Sequence, residues 1–127
     1  MITFDAIGTV ARHLPTTLAF YRALGLDIPA EADAAPHAEV ELGGGMRLMW
    51  DTEDTIRSFD PDYEREDGQS HVLAARCESP AEVDATVARL VELGHRVVRE
   101  PWDAPWGQRY ATVEDPDGYG VDLYAAL

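Results

Sequence analysis

Apolar and polar residues fall into short blocks along this chain, and one order of blocks occurs twice. Residues Ile2 to Val10 are rich in strand formers. Leu14-Pro15-Thr16 then opens a helix whose apolar residues Leu18, Tyr21 and Leu24 recur at helical spacing until Gly25 ends it. Two alternating runs follow, His37 to Leu42 and Met46 to Asp51, joined by Gly43-Gly44-Gly45, a turn signal with glycine's freedom at positive φ. The order resumes with a strand at His71 to Cys77. Ser79-Pro80-Ala81-Glu82 is a capping box opening a helix with the stripe Val83, Val87, Leu90 and Val91, closed by Gly94. Strands are expected at His95 to Glu100, Arg109 to Glu114 and Gly120 to Ala125, the last two joined through Asp115-Pro116-Asp117-Gly118.

This pattern predicts an α+β fold: one domain, residues 1–127, of two βαβββ halves at about 1–58 and 70–127 with a connector at 59–69. The stretch from Thr52 to Ser70 reads as a polar, acidic loop with one helical turn around Thr55 to Phe59. Alternation sorts the strands into faces. Ala38, Val40 and Leu42 form an apolar side opposite His37, Glu39 and Glu41; Tyr110 and Thr112 oppose Ala111 and Val113; Asp122 and Tyr124 oppose Val121 and Leu123.

Composition narrows the function. A formal net charge of -14 disfavours a nucleic-acid partner, whose binding draws on clustered basic residues, and favours a neutral or cationic ligand over an anionic one. No apolar run is long enough for a membrane span, and Met1-Ile2-Thr3-Phe4-Asp5 lacks the regions of a signal peptide, so a cytoplasmic protein is expected. The single Cys77 allows no internal disulfide and reads as a small core residue. Gly43-Gly44-Gly45 precedes a strand rather than a helix and is no phosphate cradle, and Ala126 stands where a calcium loop beginning at Asp115 would need Glu.

Phe20-Tyr21-Arg22-Ala23-Leu24-Gly25-Leu26 resembles the FYxxLGL signature of the glyoxalase, bleomycin-resistance and ring-cleaving dioxygenase superfamily, the vicinal oxygen chelate proteins. Asp115-Pro116-Asp117-Gly118-Tyr119 resembles the same superfamily's DPDGN-type turn. Four further stretches, Ile28 to Asp33, Ala35 to His37, Met46 to Thr52 and Trp106 to Tyr110, are similar to the mitomycin-binding drug-resistance subgroup. The resemblance implies a curved mixed sheet around a cleft and a homodimer with clefts at the subunit interface. It also implies a planar, quinone-like antibiotic stacked on aromatic side chains and sequestered without chemistry or cofactor.

Enzymes of that superfamily hold a divalent metal with His and Glu side chains. The first such position, fourteen residues before Phe20, is Ala6, which has no donor atom, and the last is Asp122 in place of Glu. His71 and Glu41 lie near the other two. A metal-dependent lyase, isomerase or dioxygenase using His71, Glu41 and Asp122 is thus the alternative, and the bland reading of these three is polar cleft or surface groups.

For ligand binding, Trp106 stands out: it lies in the Pro- and Gly-containing segment Pro101 to Gly107, where periodicity gives a large aromatic no reason to be. His37 is its opposing stacking partner by resemblance, while Gln108, Tyr110 and Asp122 offer hydrogen bonds. Trp102 reads equally as an edge seal, and Trp50, on the strand face of Met46 and Leu48, equally as core or cleft wall.

Overall fold

The computed structural model describes Met1, Thr3–Glu66 and His71–Leu127, so the expected strand start at Ile2 and the last residues of the connector lie outside the described residues. The chain divides into two compact units, Met1–Glu66 and Asp67–Leu127.

The first unit runs β1 (Ala6–Ala11), α1 (Leu14–Ala23), a 3-10 turn (Ala30–Ala34), β2 (His37–Gly43), β3 (Met46–Thr52) and α2 (Glu53–Arg57). Its sheet has the order β1-β3-β2, with β1 parallel and β2 antiparallel to β3. Leu14, Leu18, Phe20 and Tyr21 of α1 are buried, and Tyr21 packs on Trp50 of β3 with ring centroids 5.0 Å apart. Past Gly25, at φ +98, the Arg22 guanidinium ties the chain down, donating to the carbonyls of Ile28 and Pro29 and to Asp33. Thr52 caps α2, its hydroxyl accepting from the Thr55 backbone N–H. The segment after α2 is fastened to the first unit by Arg65, which donates to Glu53 at 2.8 Å and to the carbonyl of Val10 at 2.7 Å.

The second unit runs β4 (Val72–Arg76), α3 (Pro80–Glu92), β5 (Arg96–Ala104), β6 (Gln108–Glu114) and β7 (Gly120–Ala126). Its sheet has the order β4-β7-β6-β5, with β4 parallel to β7 and the other pairs antiparallel. The cap of α3 keeps one bond of the expected capping box, Ser79 Oγ accepting from Glu82 N–H, while the Glu82 carboxylate accepts from the N–H of Glu78, one residue before the cap. Val83, Val87 and Leu90 bury one stripe of α3 against Ala111, Val113, Val121 and Leu123, leaving the other sheet face free of the unit's own helix. At the β6–β7 turn the buried Asp115 carboxylate accepts from the backbone N–H groups of Asp117 and Tyr119, which fixes where β7 begins.

The structure corrects four local expectations. The second unit is βαβββ, but the first is βαββ: among the described residues its sheet has no strand corresponding to β5, and the chain between α1 and β2 forms the 3-10 turn. Leu42 is 41% exposed because the β2–β3 register shifts between Glu41 and Gly43, which takes Leu42 out of alternation. Val91 is 51% exposed, since the buried stripe of α3 is narrower than its apolar pattern. Pro101 to Ala104 is strand rather than loop, because two bulges let β5 carry extra residues: Val98 has no partner, and Glu100 with Pro101 together face Ala111. Proline, lacking an N–H for the ladder, is tolerated at such a bulge.

Candidate functional site

The helix-free face of the second sheet can be read from its ladder, since residues paired across neighbouring strands point the same way. One row crosses all four strands: Arg76 beside Tyr124, Tyr124 beside Tyr110, Tyr110 beside Trp102. The next row is Ala74, Asp122, Thr112 and Arg99. Strict alternation would put Arg99 and Trp102, three residues apart, on opposite faces; the bulge at Glu100 and Pro101 brings them together.

Above these rows stands Trp106. It occupies the three-residue connection Pro105-Trp106-Gly107 between β5 and β6, closed by the Gly107 N–H to Ala104 carbonyl bond, with Gly107 at φ +91. Only a residue without Cβ takes that conformation freely, so the glycine sets the tight hairpin that throws Trp106 back over the sheet. The indole is 58% exposed yet held at three points. Its Nε1 donates to Gln108 Oε1 at 3.0 Å, and it meets Trp102 and Tyr110 edge-to-face at 5.5 and 5.4 Å. Tyr110 and Tyr124 continue the aromatic surface in a stacked pair 6.2 Å apart.

The polar centre of this face is Asp122. Its Oδ2 accepts from the Tyr110 hydroxyl at 2.5 Å and its Oδ1 from the Thr112 hydroxyl at 2.7 Å. Burial first, and then the hydrogen bond to Asp122, push the Tyr110 phenol up to about 12, so it stays a donor throughout the physiological range. Arg99 sits over Trp102, its guanidinium carbon 4.0 Å from the ring centroid.

The structure thus brings Trp102, Trp106, Gln108, Tyr110 and Asp122 together on one face of the second unit. His37 and Trp50 belong to the first unit. Trp50 is 0% exposed and packs on Tyr21, so of its two readings the core one describes its place. His37 is half exposed on β2, with Nδ1 2.7 Å from Asp51 and Nε2 3.0 Å from Glu39. Carboxylates only accept, so both bonds need the doubly protonated ring, and the bonds to Glu39 and then Asp51 raise the His37 pKa. The first unit also carries an open cavity of about 380 Å³, lined among others by Arg12, His13, Asp33, Glu53 and Arg57, which contains neither residue.

The residues weighed for a metal do not fit one. Ala6 offers no donor, and both oxygens of Asp122 accept hydroxyl hydrogen bonds. Asp122 shares its face with Ala74, whereas His71 stacks on Tyr119 at 4.6 Å with both ring nitrogens buried and unpartnered. Glu41 is exposed on β2 opposite Arg47. Among the described residues no three His, Cys, Asp or Glu side chains gather as a metal site would require.

The sequence profile of the Glyoxalase/Bleomycin resistance protein/Dioxygenase superfamily matches residues 3–123. The chain belongs to this superfamily. Solved members and likenesses agree with its fold. A glyoxalase/bleomycin resistance protein/dioxygenase family enzyme from Burkholderia phytofirmans PsJN superposes with a TM-score of 0.82 at 14% identity, covering 97% of this chain and 98% of the other. A hypothetical protein from S. aureus gives 0.81 at 20% identity, covering 99% and 95%. A glyoxalase/bleomycin resistance protein/dioxygenase from Nocardioides gives 0.75 at 25% identity, covering 100% and 85%. No curated protein matches the chain. Among the described residues of this superfamily member, no helix is long and apolar enough to cross a membrane.

Tyr124, Thr112, Arg99 and Arg76 also belong to this face. Alternation alone already put Tyr124 beside Asp122 and Thr112 beside Tyr110. The two arginines had no such signal, because the bulges that phase β5 and the pairing of β4 with β7 are set by tertiary structure.

Proposed function

We propose that this chain binds a planar aromatic small molecule on the helix-free face of its second sheet and holds it unchanged, as a resistance protein that sequesters a mitomycin-like quinone or a related antibiotic. The observation that carries the reading is Trp106: a large apolar ring left 58% in solvent, yet fixed by one hydrogen bond and two edge-to-face contacts. Exposing such a ring forgoes burial that a folded chain normally gains, and fixing it removes the rotamer entropy a ligand would otherwise have to quench. Each stacked aromatic pair adds about 0.5 to 1.5 kcal/mol beyond its buried area. Gln108, Tyr110 and Asp122 supply the polar contacts that orient the ring. Asp122 is already engaged by two hydroxyl donors, which suits a positioning acceptor better than a base awaiting a proton. In this reading the protein is a cytoplasmic homodimer.

Equilibrium dialysis of metal-stripped protein against a mitomycin-type quinone, a quinoxaline drug and a glycopeptide drug tests this, with the recovered drug analysed by mass spectrometry. Retention of at least one compound with unchanged mass is expected. Conversion of a compound only after a divalent ion is restored would replace sequestration by metal-dependent lyase, isomerase or dioxygenase chemistry.

A further inference from the structure

The chain is strongly acidic, and its ten basic residues are all arginines. Eight of them have an ion pair, a hydrogen bond or another electrostatic contact among the described residues. Arg76 and Arg99 have no carboxylate and no hydrogen-bond partner there, although Asp and Glu outnumber arginine more than twofold. Both are exposed, and the ladder puts both on the face that carries Trp106 and Asp122. They flank the aromatic row at its two edges, Arg76 on β4 next to Tyr124 and Arg99 on β5 over Trp102.

Arg99 is the better prepared of the two. A guanidinium over an indole face is held near the ring by cation–π attraction, while its five N–H donors keep their hydrogen-bonding capacity. Arg99 and Trp106 both touch Trp102, which keeps the guanidinium within about 10 Å of the exposed indole, the length of a two- or three-ring ligand. Arginines without a carboxylate partner among the described residues, at both ends of an aromatic row, are suited to a flat ring with oxygens at its rim.

We infer that the ligand of this face is a planar aromatic compound bearing an anionic group, a carboxylate or an ionised ring hydroxyl, that docks on Arg99, with Arg76 serving the opposite end. The inference rests on the aromatic-platform reading above and assigns that ligand's chemical class. It runs against the expectation drawn from net charge, and range decides between them. The surface carboxylates act over distances screened within about 8 Å at physiological ionic strength, whereas Arg99 would touch the anion directly. The one carboxylate at the centre of the face, Asp122, has both oxygens engaged by hydroxyl donors.

Three probes with one ring system test it: 2-naphthoate, 2-naphthamide and 2-naphthylmethylammonium, titrated calorimetrically into the wild-type chain, Arg99→Gln and Arg76→Gln. The expected order is carboxylate tightest, by about tenfold over the ammonium, because a hydrogen-bonded ion pair is lost in the comparison. Arg99→Gln abolishes that preference, lowering naphthoate affinity far more than naphthamide affinity, and Arg76→Gln reduces the preference less. Equal binding of all three probes, or a charge preference untouched in Arg99→Gln, overturns the assignment while leaving the platform standing. Failure of every probe to bind overturns the platform itself, and this inference with it.

Discussion

Tyr110 donates its hydroxyl to Asp122 across the β6–β7 ladder at 2.5 Å, one of two hydroxyl bonds that hold this carboxylate beneath the aromatic row. Removing the donor in Tyr110→Phe leaves the ring in place and frees one carboxylate oxygen. A loss of about 1 kcal/mol of stability is expected, typical of a hydrogen bond to a charged group that is only partly buried. Asp122→Asn should cost a similar amount. Because the two residues share one interaction, the double variant should cost less than the sum, a coupling that urea melts of the four proteins measure directly.

Trp50 and Trp106 should respond very unequally to truncation. Trp50 is wholly buried against Tyr21, and Trp50→Ala is expected to cost about 3 to 5 kcal/mol. Trp106→Ala removes a mostly exposed ring and should shift stability by less than about 1 kcal/mol. Thermal melts that rank the two in reverse would contradict their assignment to core and platform.

Gly107 sets the Trp106 hairpin at φ +91, with nothing within 4 Å of where a Cβ would stand. The cost of Gly107→Ala is therefore conformational, about 1 to 2 kcal/mol, from forcing an L-residue into the left-handed region. A backbone that relaxes this strain also re-aims Trp106, so weaker ligand binding should accompany the lower melting temperature.

His37 makes stability depend on pH. Its bonds to Glu39 and Asp51 favour the imidazolium, so the folded pKa lies above the ordinary 6.5. For a raised folded value the stabilisation is fully present below the unfolded pKa and is lost as pH rises through the folded one. Urea midpoints should therefore fall as pH is taken upward from 6.5, and His37→Gln should flatten that slope. Solvent exposure of the ring, at 40%, keeps the effect small.

Much of this molecule is legible in its sequence because local signals and packing agree there. Ser79 with Glu82 announces α3, the three glycines announce the β2–β3 turn, and the alternation of Tyr110 to Val113 and Val121 to Tyr124 gives the two faces of the second sheet correctly. Trp106 was visible as an aromatic without periodic excuse. What alternation misses is phase. Leu42, Val98 and the Glu100-Pro101 pair break the two-residue repeat, and each break moves a side chain to another face without changing residue type. The extra strand expected of the first half came from the assumed repeat and not from residues, since no strand-like run stands between Gly25 and His37, where the 3-10 turn lies.

The most direct measurement is a tryptophan-fluorescence titration of metal-stripped wild type and Trp106→Ala with a mitomycin-type quinone, the drug being recovered afterwards. Saturable quenching in the wild type, lost in Trp106→Ala, with drug of unchanged mass, is the expected result. Quenching of equal amplitude and affinity in both proteins would show that the ligand does not use Trp106, and would contradict binding on the second sheet's aromatic face.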